Sequence, residues 1–73
     1  MKGMYKMKLV DFLRVTEFGV KGVIKSDDVM VYSGETIRGA LFHLNYFCLL
    51  SKITSIDVEN DVILINIDYL DRR

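Results

Sequence analysis

The sequence predicts an α+β fold in which a short helix, a β-hairpin, a longer helix and a second β-hairpin follow one another (αββαββ). Apolar residues recur with helical spacing over residues 9–18 and 36–50. Two further regions each contain a pair of short segments rich in β-branched and alternating residues, separated by turn-forming residues. We therefore expect an antiparallel sheet of about four strands, with the helices packed mainly on one face.

The first helix is predicted over Leu9–Phe18, and Gly19 follows it as a helix stop. The residues Leu9, Phe12, Leu13 and Thr16 recur at i, i+3, i+4 and i+7, which is the spacing of one helix face. The first hairpin is predicted to have strands over residues 20–25 and 29–32, because Ser26-Asp27-Asp28 between them favours a turn.

The second helix is predicted over residues 36–50, and at about 100° per residue it carries apolar side chains nearly all round. One stripe is expected to pack on the sheet: Ile37, Ala40, Leu41, Leu44, Phe47 and Cys48. The opposite side is the candidate interface, formed by Phe42, Tyr46, Leu49 and Leu50. Two interpretations stay open: the first helix covers this second side, or it is a surface for self-association or for a partner.

The second hairpin is predicted to have strands over residues 54–59 and 62–68, joined by Asn60-Asp61, which tolerate left-handed backbone. This loop places five apolar residues on one face: Ile56, Val58, Ile63, Ile65 and Ile67. The last strand also carries Val62 and Leu64 on its other face, which is typical of a strand that is central or covered on both sides.

The length of 73 residues predicts a single domain over 1–73, with a loose segment at 1–6 and a polar tail at 69–73. A core of this size contributes a net stability of roughly 3–5 kcal/mol. Cys48 is the single cysteine, so no intrachain disulfide can add to that stability, and its position predicts a small buried hydrophobe in a reducing compartment. Association into a homodimer is the remaining way to gain stability, and we expect it.

The charge and hydropathy exclude several functional classes. Ten basic residues balance ten acidic ones, which argues against a dedicated nucleic-acid binder. The lysines near the start are not followed by the apolar segment of a signal peptide, and no stretch approaches the roughly 20 apolar residues of a membrane span. We therefore expect a soluble cytoplasmic protein without a membrane partner.

The sequence predicts no catalytic residue, no metal ligand set and no cofactor, and hence no enzyme. His43 is the only histidine, and a helical separation of five residues keeps it away from Cys48. The acidic residues of 27–28 and 57–61 fit turns and a solvated hairpin face, without the spacing of a calcium loop. The glycines at 19 and 22 lack the spacing of a phosphate-binding loop.

Three stretches, MKLVDFLRV, VYSG before a helix, and SIDVENDVILINID, give the chain a resemblance over residues 7–67 to small proteins of bacterial prophages and mobile elements. The resemblance implies a compact accessory protein that acts by binding a host protein, for example as an inhibitor of a defence system such as CRISPR. The alternatives are an oligomer that sequesters a small ligand such as a nucleotide signal, and a nucleic-acid accessory factor.

Overall fold

The computed structural model describes residues 7–69, which fold as a four-stranded mixed sheet with a few short helices. The helical segments are α1 (Leu9–Val15), a 3₁₀ turn (Ile37–Gly39), α2 (Ala40–His43) and α3 (Tyr46–Leu49). The strands are β1 (Lys21–Ser26), β2 (Val29–Gly34), β3 (Lys52–Glu59) and β4 (Val62–Asp68). The predicted α+β class is confirmed, and none of the helices between residues 7 and 69 is long and apolar enough to cross a membrane.

The strand order is β2-β1-β4-β3, and the expectation of a purely antiparallel sheet is wrong at its centre. Each hairpin is antiparallel, but β1 and β4 run parallel. The helical connection carries the chain from the edge strand β2 to the opposite edge strand β3, and β3 runs in the same direction as β2. Because each hairpin reverses the chain direction, β1 and β4 also run in the same direction. The central position of β4 agrees with its apolar residues on both faces.

The second hairpin turn has the left-handed backbone that the sequence predicts, and the first turn has it as well. The first turn is one residue shorter than expected, because Ser26 ends β1 and pairs with Val29. Asp27 and Asp28 have φ of 56° and 67°, and Asn60 and Asp61 have φ of 53° and 65°. Two successive left-handed residues give the twist that a two-residue hairpin loop needs. The second loop pairs Glu59 with Val62 as expected, so the predicted apolar face of that hairpin is confirmed.

The helix predicted over residues 36–50 is wrong, because the chain forms three short segments there and breaks at Leu44 and Asn45. Both residues have extended backbone, with ψ of 148° and 166°. The Asn45 side chain accepts a hydrogen bond of 2.8 Å from the backbone N–H of Cys48 and so caps a new helix. The single second helix of the αββαββ order is therefore absent.

The first helix ends at Val15, three residues before the predicted end at Phe18. Thr16 has extended backbone (ψ of 140°), and its hydroxyl donates to the carbonyl of Phe12 at 2.7 Å. The segment before α1 joins the edge of the sheet, because Ile53 donates its N–H to the Met7 carbonyl at 3.2 Å. The predicted loose segment 1–6 lies outside the described residues.

The core lies between the helical segments and one face of the sheet. The 3₁₀ turn and the sheet approach each other closely at Gly22, because a Cβ at that position would collide with the Ile37 side chain. The backbone N–H of Ile37 also donates to the Val20 carbonyl at 2.6 Å, which fixes the 3₁₀ turn against the start of β1. The buried hydrophobic residues are Leu9, Leu13, Ile24, Ile37, Ala40, Cys48, Leu49, Ile53, Ile65 and Ile67.

Tyr69 follows β4 and remains attached to the sheet. Its backbone N–H donates to the Ser26 hydroxyl at 3.2 Å, and that hydroxyl donates to the Tyr69 carbonyl at 2.9 Å. The Ser26 side chain therefore links the last residue of β1 to the residue that follows β4. Residues 70–73, the rest of the predicted polar tail, lie outside the described part of the chain.

Candidate interaction surface

Three aromatic side chains of the helical region project into solvent, and we call Phe42, Tyr46 and Phe47 the aromatic surface. Their exposed fractions are 83%, 68% and 74%. Tyr46 and Phe47 contact each other edge to face, with ring centroids 6.3 Å apart. Phe42 lies on α2, one segment earlier in the chain. Large exposed aromatic rings of this kind are typical of protein interaction sites.

The break at Leu44 and Asn45 decides which residues belong to this surface. Phe47, predicted to be buried, is exposed, while Leu44 is only half-buried. Of the predicted interface, Phe42 and Tyr46 are exposed, but Leu49 is 9% exposed and belongs to the core. Leu50 is half-buried at the end of α3. A helical wheel assumes constant rotation along the segment, and the break shifts every residue after Asn45.

The short segments that carry the aromatic surface are anchored in the core. Ala40 of α2 is fully buried, and Cys48 and Leu49 of α3 are 2% and 9% exposed. The Ser51 hydroxyl donates to the Phe47 carbonyl at 3.3 Å, and this hydrogen bond ties α3 to the segment that leads into β3. The rings are therefore held on a fixed backbone rather than on a free loop.

A further exposed aromatic residue, Phe18, pairs with a cation. The Arg38 guanidinium carbon lies 4.4 Å from the centroid of the Phe18 ring, which is a cation–π contact. Arg38 also donates to the Thr16 carbonyl at 3.4 Å, so the guanidinium is held in place. Arg38 in the 3₁₀ turn and Phe42 in α2 are four residues apart along one continuous helical stretch. Sequence reasoning missed this cation–π pair, which links the segment after α1 to the 3₁₀ turn.

His43 is exposed, as the sequence predicts, and it stacks on Tyr32 with ring centroids 5.9 Å apart. The Tyr32 hydroxyl donates to the Thr36 carbonyl at 3.0 Å. A Cβ at Gly34 or Gly39 would lie 2.7 or 2.6 Å from that hydroxyl oxygen, so both glycines leave room for it. The hydrogen bond from Tyr32 to Thr36 joins β2 to the start of the 3₁₀ turn. The Tyr32 ring, held in this way, is the residue on which His43 stacks.

Cys48 is a buried residue, as predicted. Burial removes the thiol from water and raises its pKa, which keeps the sulfur protonated and unreactive at neutral pH. The acidic side chains do not gather around a common point: in residues 7–69, no three histidine, cysteine, aspartate or glutamate residues are placed to hold a metal ion. Asp27, Asp28 and Asp61 shape turns instead.

Comparison with protein-family models, curated proteins and solved structures gives no match for the chain.

Proposed function

We propose that the protein is a non-enzymatic binding protein that docks on a partner protein through the aromatic surface. The observation that carries this proposal is the exposure of Phe42, Tyr46 and Phe47 on a backbone anchored in the core. An aromatic side chain buries about 150–250 Å² in a contact, and tyrosine is enriched among the residues that dominate binding energy.

Two features of the surroundings support protein binding. The anchored backbone limits the conformational entropy that is lost when the rings are covered. Arg38 stacks on the exposed Phe18 ring and donates to the Thr16 carbonyl, and arginine is the charged residue most enriched at interfaces. A partner with an apolar groove and a carboxylate at its rim would complement both features.

The resemblance to prophage and mobile-element proteins extends the proposal to a host protein as the partner, of which a component of a CRISPR system is one candidate. A binding protein of this type would act in the cytoplasm by occupying a surface that its target needs. The proposal requires neither cofactor nor metal, because the binding energy comes from burial of the rings.

The proposal is tested by affinity capture from a bacterial lysate with three tagged chains: the parent, Tyr46→Glu and the control Val58→Glu. Tyr46 and Val58 are 68% and 69% exposed, so both changes add a charge at an equally exposed apolar position. We expect the same host protein with the parent and the control, and at least about tenfold less with Tyr46→Glu, because a central aromatic anchor is worth about 2 kcal/mol or more.

Circular dichroism and the melting temperature establish that both variants are folded. Capture that is equal for all three chains would contradict the proposal, as would capture abolished by nuclease treatment, because that result would indicate a nucleic-acid partner.

A further inference from the structure

The face of the sheet opposite the helices bears a pattern of charges that the aromatic surface does not explain. Between residues 7 and 69 no element lies over this face, which we call the open face. The strand registers place its residues of β1, β4 and β3 in three rows: Lys21–Val62–Glu59, Val23–Leu64–Asp57 and Lys25–Asn66–Ser55. The hydrogen bond of 3.0 Å from Asn66 to the Ser55 hydroxyl agrees with this register.

The centre of the open face is apolar. Val62 and Leu64 of the central strand and Val23 beside them are half-buried by their neighbours alone. Met30, next to Lys25 on β2, is 58% exposed. An apolar strip along the middle of a sheet is the kind of surface that a second layer covers.

The charges on either side of this strip have opposite signs. At the start of β3, beyond this strip, the exposed Lys52 lies opposite Asp68 of β4. Beside the strip itself, β1 contributes the exposed Lys21 and Lys25, and β3 contributes the exposed Asp57 and Glu59. The two strands are separated by β4 and so lie about 9–10 Å apart, which keeps these groups from pairing within one chain. Among the described residues the one ion pair is between Lys21 and Glu35, at 3.9 Å and with both side chains largely exposed.

We propose that the open face is the interface of a homodimer, in which a second copy packs face to face about a two-fold axis parallel to β4. This axis places β4 over its own copy and β1 over β3 of the other copy. Lys21 then lies opposite Glu59 of the second copy, and Lys25 lies one row from Asp57 of that copy. The apolar strip closes between the sheets at the usual spacing of about 10 Å.

The charge pattern favours a second copy over other occupants. An anionic partner such as a nucleic acid would be repelled by Asp57 and Glu59 of β3, and a cationic partner would be repelled by Lys21 and Lys25 of β1. A two-fold copy presents the complementary sign to both strands at once, because such an interface is self-complementary. The homodimer expected from the sequence is thus assigned to the sheet, and this proposal is independent of the proposed partner binding by the aromatic surface.

A charge-exchange experiment tests the dimer. Variant A carries Lys21→Glu and Lys25→Glu, variant B carries Asp57→Lys and Glu59→Lys, and mass is measured by sedimentation over a range of concentrations. In either variant alone, like charges face each other, so we expect the dimer to weaken at least about tenfold. An equimolar mixture of A and B restores opposite charges on both sides, and we expect a heterodimer.

Tyr46→Glu is the matched control, and we expect it to dimerise like the parent. A parent that is monomeric at several hundred micromolar would overturn the proposal, as would a mixture of A and B that stays monomeric while each chain is folded. A dimer that A and B leave intact and Tyr46→Glu dissociates would move the interface to the aromatic surface and also overturn it.

A second measurement does not depend on the charge variants. Leu64→Cys places a thiol near the two-fold axis, whereas Val58→Cys places one at an exposed position on the helix side of the edge strand β3. A short bismaleimide should cross-link Leu64→Cys into dimers and leave Val58→Cys monomeric, since Cys48 is buried. Equal cross-linking of both chains would refute the proposed geometry.

Discussion

Gly22→Ala tests whether the helical connection is pressed against the sheet. Alanine is normally preferred to glycine in a strand, and a compatible Gly→Ala change stabilises a protein by about 0.4–1 kcal/mol through the unfolded chain. At Gly22 the structure predicts the opposite sign. An added Cβ would lie 2.7 Å from both Cβ and Cγ1 of Ile37, and Cδ1 would be closer still.

The collision cannot be relieved by a simple shift of Ile37. Its backbone N–H is bonded to the Val20 carbonyl at 2.6 Å, and its side chain is fully buried. Overpacking of this kind costs about 1–3 kcal/mol. Against a net stability of roughly 3–5 kcal/mol, Gly22→Ala should leave a marginally folded protein.

Urea denaturation followed by circular dichroism measures the free energy of unfolding for Gly22→Ala, Ile37→Val and the double variant. Ile37→Val removes Cδ1, the atom nearest to the added Cβ, so the double variant should be more stable than the sum of the two single costs predicts. The control pair is Gly19→Ala with Ile37→Val. Gly19 has φ of 87° and no neighbouring atom within 4 Å of an added Cβ, so its cost comes from the backbone alone and should be additive.

A Gly22→Ala protein that is as stable as the parent would refute the close packing of the 3₁₀ turn on β1. Additive costs of Gly22→Ala and Ile37→Val would refute it as well.

Two further predictions concern α3. Asn45→Ala removes the cap on the Cys48 N–H and should lower the free energy of unfolding by about 1 kcal/mol, whereas Asn45→Asp keeps an acceptor and should cost less; equal losses in urea denaturation would contradict the capping role. Because burial raises the pKa of the Cys48 thiol, the folded state holds this proton more tightly than the unfolded chain. The contribution of this proton to the free energy of unfolding is complete below about pH 8.5, the pKa of a cysteine thiol in the unfolded chain. The contribution is lost as the pH rises through the higher pKa of the Cys48 thiol in the folded state. Stability should therefore fall more steeply above about pH 8.5 in the parent than in Cys48→Ala, and parallel curves of melting temperature against pH would contradict this.

Local chemistry in the sequence predicted the hairpins well. Asn60-Asp61 tolerates left-handed backbone, and this property fixes the length of the second loop and thereby which side chains share a face. The first turn was predicted at Ser26-Asp27-Asp28, of which Asp27 and Asp28 form the loop. The two-sided apolar pattern of Val62–Asp68 also predicted its central position. These features depend on residues that are close in the chain, and so the sequence pattern contains them.

The parallel pairing of β1 with β4 could not be predicted in the same way. The residues of the first hairpin do not specify which of its strands pairs with the second hairpin, and the same holds for the second hairpin. The broken helix had a signal that the wheel overlooked. Asn45 stood within the apolar stretch, and asparagine competes with the helical backbone and favours caps. A break there explains why Phe47 is exposed and Leu49 is buried.

The parallel pair at the centre of the sheet has a consequence for how the chain folds. Val23 pairs with Leu64, so the first strand meets its inner neighbour only when the last strand has been made. Each hairpin can form within microseconds, but joining them pairs residues about forty positions apart in the sequence, and such distant pairing slows folding. During synthesis the first half would leave the ribosome without the strand that completes its core. The sheet should therefore assemble only after β4 (Val62–Asp68) has emerged, and deletion of β4 should unfold the whole domain rather than one edge.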